Sequence, residues 1–97
     1  MPKQVCIPYL KALADETRWR IVRELLPQPL NVGQLVKRTG VSQYNVSKHL
    51  RILREAGIVV TQRHGKHVEC HVADDFRRQF KANSKVLDLG CCSFRFQ

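Results

Sequence analysis

The stretch "VSQYNVSKHLRILREAGIVV", residues 41–60, decides the fold. Ser42 is a natural N-cap, because its hydroxyl can accept from a free amide of the first helical turn. Val46, Leu50 and Leu53 then recur at i, i+4 and i+7, the stripe that one face of a helix buries. Gly57 is a natural C′ residue, able to end the helix in the left-handed conformation. Gln43, Tyr44, Asn45, Ser47, Lys48 and Arg51 occupy the other faces. Past Gly57 the period changes. Ile58 to Gln62 is β-branched and apolar-rich, "HGK" at 64–66 signals a turn, and His67 to Val72 alternates, which together predict a hairpin.

Working outward, "NVGQLVKRTG" (31–40) predicts a helix capped by Asn31, ended by Gly40 and buried through Val32, Leu35 and Val36. A short helix, a tight Gly40-Val41-Ser42 turn and a polar-faced helix form a helix-turn-helix signature, and the hairpin supplies a wing. "ADETRWRIVRELLPQP" (14–29) is a further helix, capped by Asp15 or Thr17 and stopped by Pro27 and Pro29. Trp19, Val22, Leu25 and Leu26 share its inner face, with Trp19 in the core. Pro8 suits the first turn of a short helix, "PYLKALA", which exposes Tyr9, Leu10 and Leu13 unless a partner covers them. "ADDFRRQFKAN" (73–83) returns to helix, with Asp74 as cap and Phe76 and Phe80 at i and i+4. The predicted fold is therefore mainly α with a β-hairpin wing (α+β), a winged helix-turn-helix in a single domain over 1–97.

The tail, 84–97, fits neither period cleanly. From Gly90 onward, alternation puts Cys92, Phe94 and Phe96 on one face and Cys91, Ser93 and Arg95 on the other. Two readings stand: a strap that packs Phe94 and Phe96 on the body, or a sulfur-based sensor.

Composition narrows the partners. The 97 residues carry 17 Lys+Arg against 8 Asp+Glu, a formal charge of +9. That excess is more than solubility needs and points to a polyanion, double-stranded DNA above all. A helix in the major groove reads base edges with side chains near its N-terminus. Gln43 and Asn45 suit adenine, and Lys48 suits guanine or phosphate. The candidate DNA contacts are Ser42, Gln43, Tyr44, Asn45, Ser47, Lys48, His49 and Arg51 on the helix, with Arg63, His64 and Lys66 on the wing. His49, beside Leu50, also has a partly inward reading. A merely solvated polar face is the plainer alternative, but the turn, the wing and the charge together favour DNA. No apolar run approaches a membrane span and the N-terminus lacks a secretory h-region, so a cytoplasmic location with no membrane partner is expected. Cys6, Cys70, Cys91 and Cys92 are then expected as reduced thiols. No paired carboxylates, nucleophile–base grouping or phosphate loop suggests an enzyme.

"LADETRWRIVRELL", "VSQYNVSKHLRILREAGIVV" and "RHGKHVECHV" resemble the winged-helix repressors of the ArsR/SmtB type, over roughly residues 9–76. The run Ser-Gln-x-x-Val-Ser-Lys-His-Leu-x-x-Leu-x-x-Ala-Gly, residues 42–57, is specific to that family and close relatives. The resemblance implies a homodimer joined through its first and last helices, a palindromic operator, and repression released by an effector, often a metal or metalloid. The chain departs from the usual effector sites. A Cys-x-Cys in the helix before the recognition helix would fall on Asn31 and Gly33, and an Asp-x-His in the last helix on Asp74-Asp75-Phe76.

Other candidates remain. Alternation turns Cys70 inward and leaves His67, Glu69 and His71 as an outward stripe, a possible metal ladder whose simpler assignment is a solvated strand face. If the family's pairing of first and last segments holds, Cys6 lies near Cys91 and Cys92, and three thiolates would suit a thiophilic ion such as arsenite or zinc. Successive strand residues point apart, so Cys91 and Cys92 can share an ion only in a turn, which Gly90 allows. The expected function is an effector-released repressor. Alternatives are a winged-helix regulator under redox or other-ligand control, and a protein-interaction module.

Overall fold

The computed structural model describes residues 6–80 and 85–96. Its order is α1 (Cys6–Leu13), α2 (Glu16–Leu25), β1 (Leu30–Asn31), α3 (Val32–Thr39), α4 (Gln43–Glu55), β2 (Val59–His64), β3 (His67–Val72), α5 (Asp74–Arg77), β4 (Val86–Asp88) and β5 (Ser93–Arg95). The helix-turn-helix is built as its caps dictate. Asn31 and Gln34 form a reciprocal capping box at the start of α3, and Gly40 ends that helix at φ 72°. Ser42 then caps α4 by accepting from the Asn45 amide. Asp15, rather than Thr17, caps α2 through the Arg18 amide.

Val46, Leu50 and Leu53 are buried at 0–2 % exposure against Ile21, Val22, Leu25 and Leu35, so the predicted stripe of α4 faces the core. β2 and β3 pair antiparallel with His64 opposite His67 at the tip. β1 adds a third strand, Leu30 lying opposite Cys70. Two residues, Leu30 and the helix cap Asn31 itself, carry no periodicity, which is why the sequence alone does not announce that strand. Cys70 is fully buried, as alternation requires, and Trp19 is half-buried against the core rather than sealed inside it.

Two expectations are corrected, and a conformation the sequence left open is filled in. The helix after the wing is one turn, Asp74–Arg77, capped at Ala73 without a side-chain bond, so Asp74 opens the helix instead of capping it. Its expected continuation over 81–83 lies outside the described residues. The tail forms an antiparallel hairpin, β4 with β5, Leu87 lying opposite Phe94. Tyr9 and Leu13 are not exposed. They are 5 % and 4 % accessible within the one chain, because the Tyr9 ring meets Phe76 edge-on at 5.2 Å and α1 is closed over by the tail. Ile7 remains 58 % exposed on α1.

The tail docks through aromatic rings. Phe96 is buried and stacks on Trp19 with centroids 4.0 Å apart, while Phe94 meets the same indole edge-on at 6.1 Å. Phe80 closes the cluster at 5.6 Å from Phe96. Among the described residues, no helix is long and apolar enough to cross a membrane.

Candidate nucleic-acid interface and thiol cluster

The turn at Gly40 and the Ser42 cap aim the N-terminus of α4 outward. Ser42, Gln43, Tyr44, Asn45, Ser47, Lys48 and Arg51 are all exposed, while the opposite stripe is sealed in the core. Tyr44 is 79 % exposed, an aromatic ring held in solvent one residue into the helix. Arg51 lies 3.9 Å from Glu55 one turn on. At such exposure this pair adds little to stability and leaves the guanidinium available. Arg63, His64 and Lys66 are exposed at the wing tip, where Gly65 makes the turn at φ 61°.

His49 departs from the rest of that set. Its side chain is 15 % exposed and its Nδ1 lies 3.2 Å from Arg18 Nη1 and 3.9 Å from Asp15 Oδ2. It faces α2, not the open face of the recognition helix, which is the inward alternative left open by its place beside Leu50. Asp15 is held below the usual carboxylate range, chiefly by the Arg18 amide it accepts from, with the Arg18 charge adding and burial opposing.

On the wing, Glu69 Oε1 lies 2.8 Å from His71 Nε2 and 3.6 Å from His64 Nε2. The 2.8 Å contact lacks hydrogen-bond geometry, since the buried His71 Nε2 has no hydrogen-bond partner. His67 stands apart at the exposed end of β3. Among the described residues no three His, Cys, Asp or Glu side chains are grouped so as to hold a metal ion, the His67, Glu69 and His71 stripe included.

The cysteines overturn one expectation. Cys6 and Cys91 are not free thiols; they are joined as a disulfide that ties the first turn of α1 to the tail, 85 residues on. Gly90, at φ 86°, makes the turn that presents Cys91 there. Cys92 Sγ is free and lies 3.8 Å from Cys91 Sγ. The three sulfurs that the sequence singled out are thus brought together, with two of them bonded to each other. Cys91 is exposed, Cys92 half-buried and Cys6 buried, so the cluster meets solvent through Cys91. Only its reduced form has the thiolate donors that a soft ion selects. Burial pushes the remaining thiol, Cys70, above its usual range and keeps it protonated.

These features define a winged-helix protein whose second helix-turn-helix helix offers a polar, cationic outer face. The chain belongs to the ArsR family of bacterial regulatory proteins: the model of that family matches residues 15–61, from the α2 cap to the wing. It is 44 % identical over 64 residues to the HTH-type transcriptional regulator CmtR of Mycobacterium tuberculosis, covering 66 % of this chain and 54 % of that protein. The structure of HlyU from Vibrio cholerae N16961 superimposes with a TM-score of 0.73 at 33 % identity, over 80 % of this chain and 88 % of that one. The repressor BigR from Xylella fastidiosa gives 0.69 at 32 % identity, over 75 % and 74 %. The chain spans about half the length of the curated relatives it matches. The family is one of regulators, not enzymes.

Proposed function

We propose that this chain is a DNA-binding transcriptional repressor that acts in the cytoplasm as a homodimer on a palindromic operator and is released by chemistry at Cys6, Cys91 and Cys92. The observation that carries the reading is the division of α4. Its apolar stripe is sealed in the core while Gln43, Tyr44, Asn45, Ser47 and Lys48 are exposed together near its N-terminus. Such an array suits base edges and phosphates at once: the amides pair bidentately, and an apolar ring can meet a thymine methyl. The exposure of the wing cations Arg63 and Lys66 supports a phosphate-contacting role for them. Among the relatives is a probable mercury resistance operon repressor from Streptomyces lividans, 35 % identical over 66 residues.

Control is assigned to the sulfur cluster because it reaches solvent at Cys91 and ties α1 to the tail. In the reduced state Cys6, Cys91 and Cys92 together suit a thiophilic ion, arsenite or zinc. The disulfide favours a second reading, redox control, since cytosolic disulfides in mesophiles are usually transient and catalytic or redox-sensing. The two modes exclude each other, because both use the Cys6 and Cys91 sulfurs.

The test is a gel shift on the DNA upstream of the protein's own gene, under reducing conditions, with and without arsenite or zinc, and again after oxidation. Retardation that competitor DNA of unrelated sequence does not abolish, and that one of these treatments reverses, is expected. An interaction module would give no sequence-selective shift. Control elsewhere would leave the shift unaltered by all three treatments.

A further inference from the structure

Arg18 occupies a position that the DNA-contact reading does not use. Its Nε donates to the Ala12 carbonyl and its Nη2 reaches the Lys11 carbonyl at 3.5 Å, both in the last turn of α1. Those are carbonyls that a helix cannot satisfy internally, at the negative end of its dipole, so a guanidinium is well suited there. The remaining arm, Nη1, lies 3.2 Å from His49 Nδ1 on α4, one residue beyond Lys48. One side chain therefore spans from the end of α1 to the recognition helix.

The tail holds both α1, which Arg18 caps, and α2, which carries Arg18. The Cys6–Cys91 bond holds the first turn of α1, and Phe96 stacks on Trp19, the neighbour of Arg18 on α2. α1 is a single eight-residue helix, so a movement at Cys6 is carried to Lys11 and Ala12 as a rigid body.

We propose that Arg18 is a positioning residue that sets the placement of the recognition helix through His49, and that this contact transmits the state of the cysteine cluster to DNA binding. The proposal rests on the repressor reading above and adds its internal route. It has a chemical signature. Arginine only donates, so His49 Nδ1 must accept, and the imidazole proton must sit on Nε2. Asp15 Oδ2, at 3.9 Å, is too far to receive a proton from Nδ1 instead. Asp15, the cap of α2, and Arg18 in its first turn are charged groups that approach that ring.

The experiment compares the full chain with Arg18→Met, Arg18→Lys and Lys48→Ala, each in the disulfide and the fully reduced state. Operator affinity is read by fluorescence anisotropy and the His49 tautomer by nitrogen-15 NMR. The parent should show the Nε2–H form and an affinity ratio between the two states of about 5-fold or more, the lower end of ordinary coupling. Arg18→Met should bring that ratio close to one and lose the tautomer preference. Arg18→Lys, which still donates from one point, should restore part of both. Lys48→Ala should weaken both states equally and keep the ratio. A parent that binds operator equally in both states overturns the redox reading and this route with it. A parent ratio preserved in Arg18→Met, with circular dichroism showing that variant folded, overturns the route alone. A His49 in the Nδ1–H form overturns it without any DNA measurement.

Discussion

The indole of Trp19 lies flat on the ring of Phe96, centroids 4.0 Å apart and planes within 6°. This contact makes the last described residue of the tail part of the core that supports the helix-turn-helix. Phe96 is 1 % exposed, and Phe94 covers the same indole from the edge while remaining half-buried. Phe96→Ala should therefore destabilise the protein by ~3–5 kcal/mol, the usual cost of emptying a fully buried phenylalanine site. Phe94→Ala should cost clearly less. Urea denaturation of the two variants measures both. A negligible loss for Phe96→Ala would mean that the strap does not hold the fold, and equal losses would contradict the ranking by burial.

Lys48 and Asn45 should separate affinity from specificity. Both are exposed on α4, outside the buried stripe of Val46, Leu50 and Leu53. Lys48→Ala should weaken binding to operator and to unrelated duplex alike and reduce the salt slope by about two, one for each subunit of the homodimer. Asn45→Ala should cost ~1–3 kcal/mol per half-site against the operator and relax selection at one base step in each half-site. Competition binding with single-site operator variants checks this. If both variants bind as the parent does, the assignment of α4 as the reading helix fails.

The two unbonded cysteines should react very differently. Cys70 is fully buried and burial raises its thiol above the ordinary range, whereas Cys92 is half-buried beside the open disulfide. Native protein treated with iodoacetamide without reductant should label at Cys92 and spare Cys70, as peptide mass mapping will show. The Cys70 shift also fixes a sign with pH. The folded state holds its proton to higher pH than the unfolded state does. The unfolded state therefore binds fewer protons above about pH 8.5, and stability falls as pH rises past that point. Cys70→Ala should flatten the start of that alkaline decline. A steeper decline in the variant would contradict the burial argument.

The helix-turn-helix and wing were legible because local chemistry and global packing agree there. Ser42, Asn31 and Gly40 are caps in the structure as they are by residue type, and Val46, Leu50 and Leu53 form the buried stripe that their spacing announces. The tail was half-legible. The alternation of Cys92, Phe94 and Phe96 against Cys91, Ser93 and Arg95 matches their burial, but the partner strand around Leu87 was hidden by the break of phase at Gly90. Long-range partners were the main loss. Nothing local to Tyr9 and Leu13 says that the chain's own far end covers them, and nothing local to Cys6 says that Cys91 is its mate. His49 and Arg18, thirty-one residues apart, share no sequence signal; only the fold brings them together.

The central claim is that α4 and the wing read DNA through a cationic, sequence-selective face. The most direct measurement is anisotropy titration of the reduced protein against a duplex from its own promoter and a scrambled duplex, across salt concentrations. A homodimer neutralising about 6–10 phosphates should lose ~10³–10⁵ in affinity between 50 and 200 mM salt, while preferring the promoter duplex throughout. Binding that is indifferent to salt, or equal for the two duplexes at every salt concentration, would contradict it.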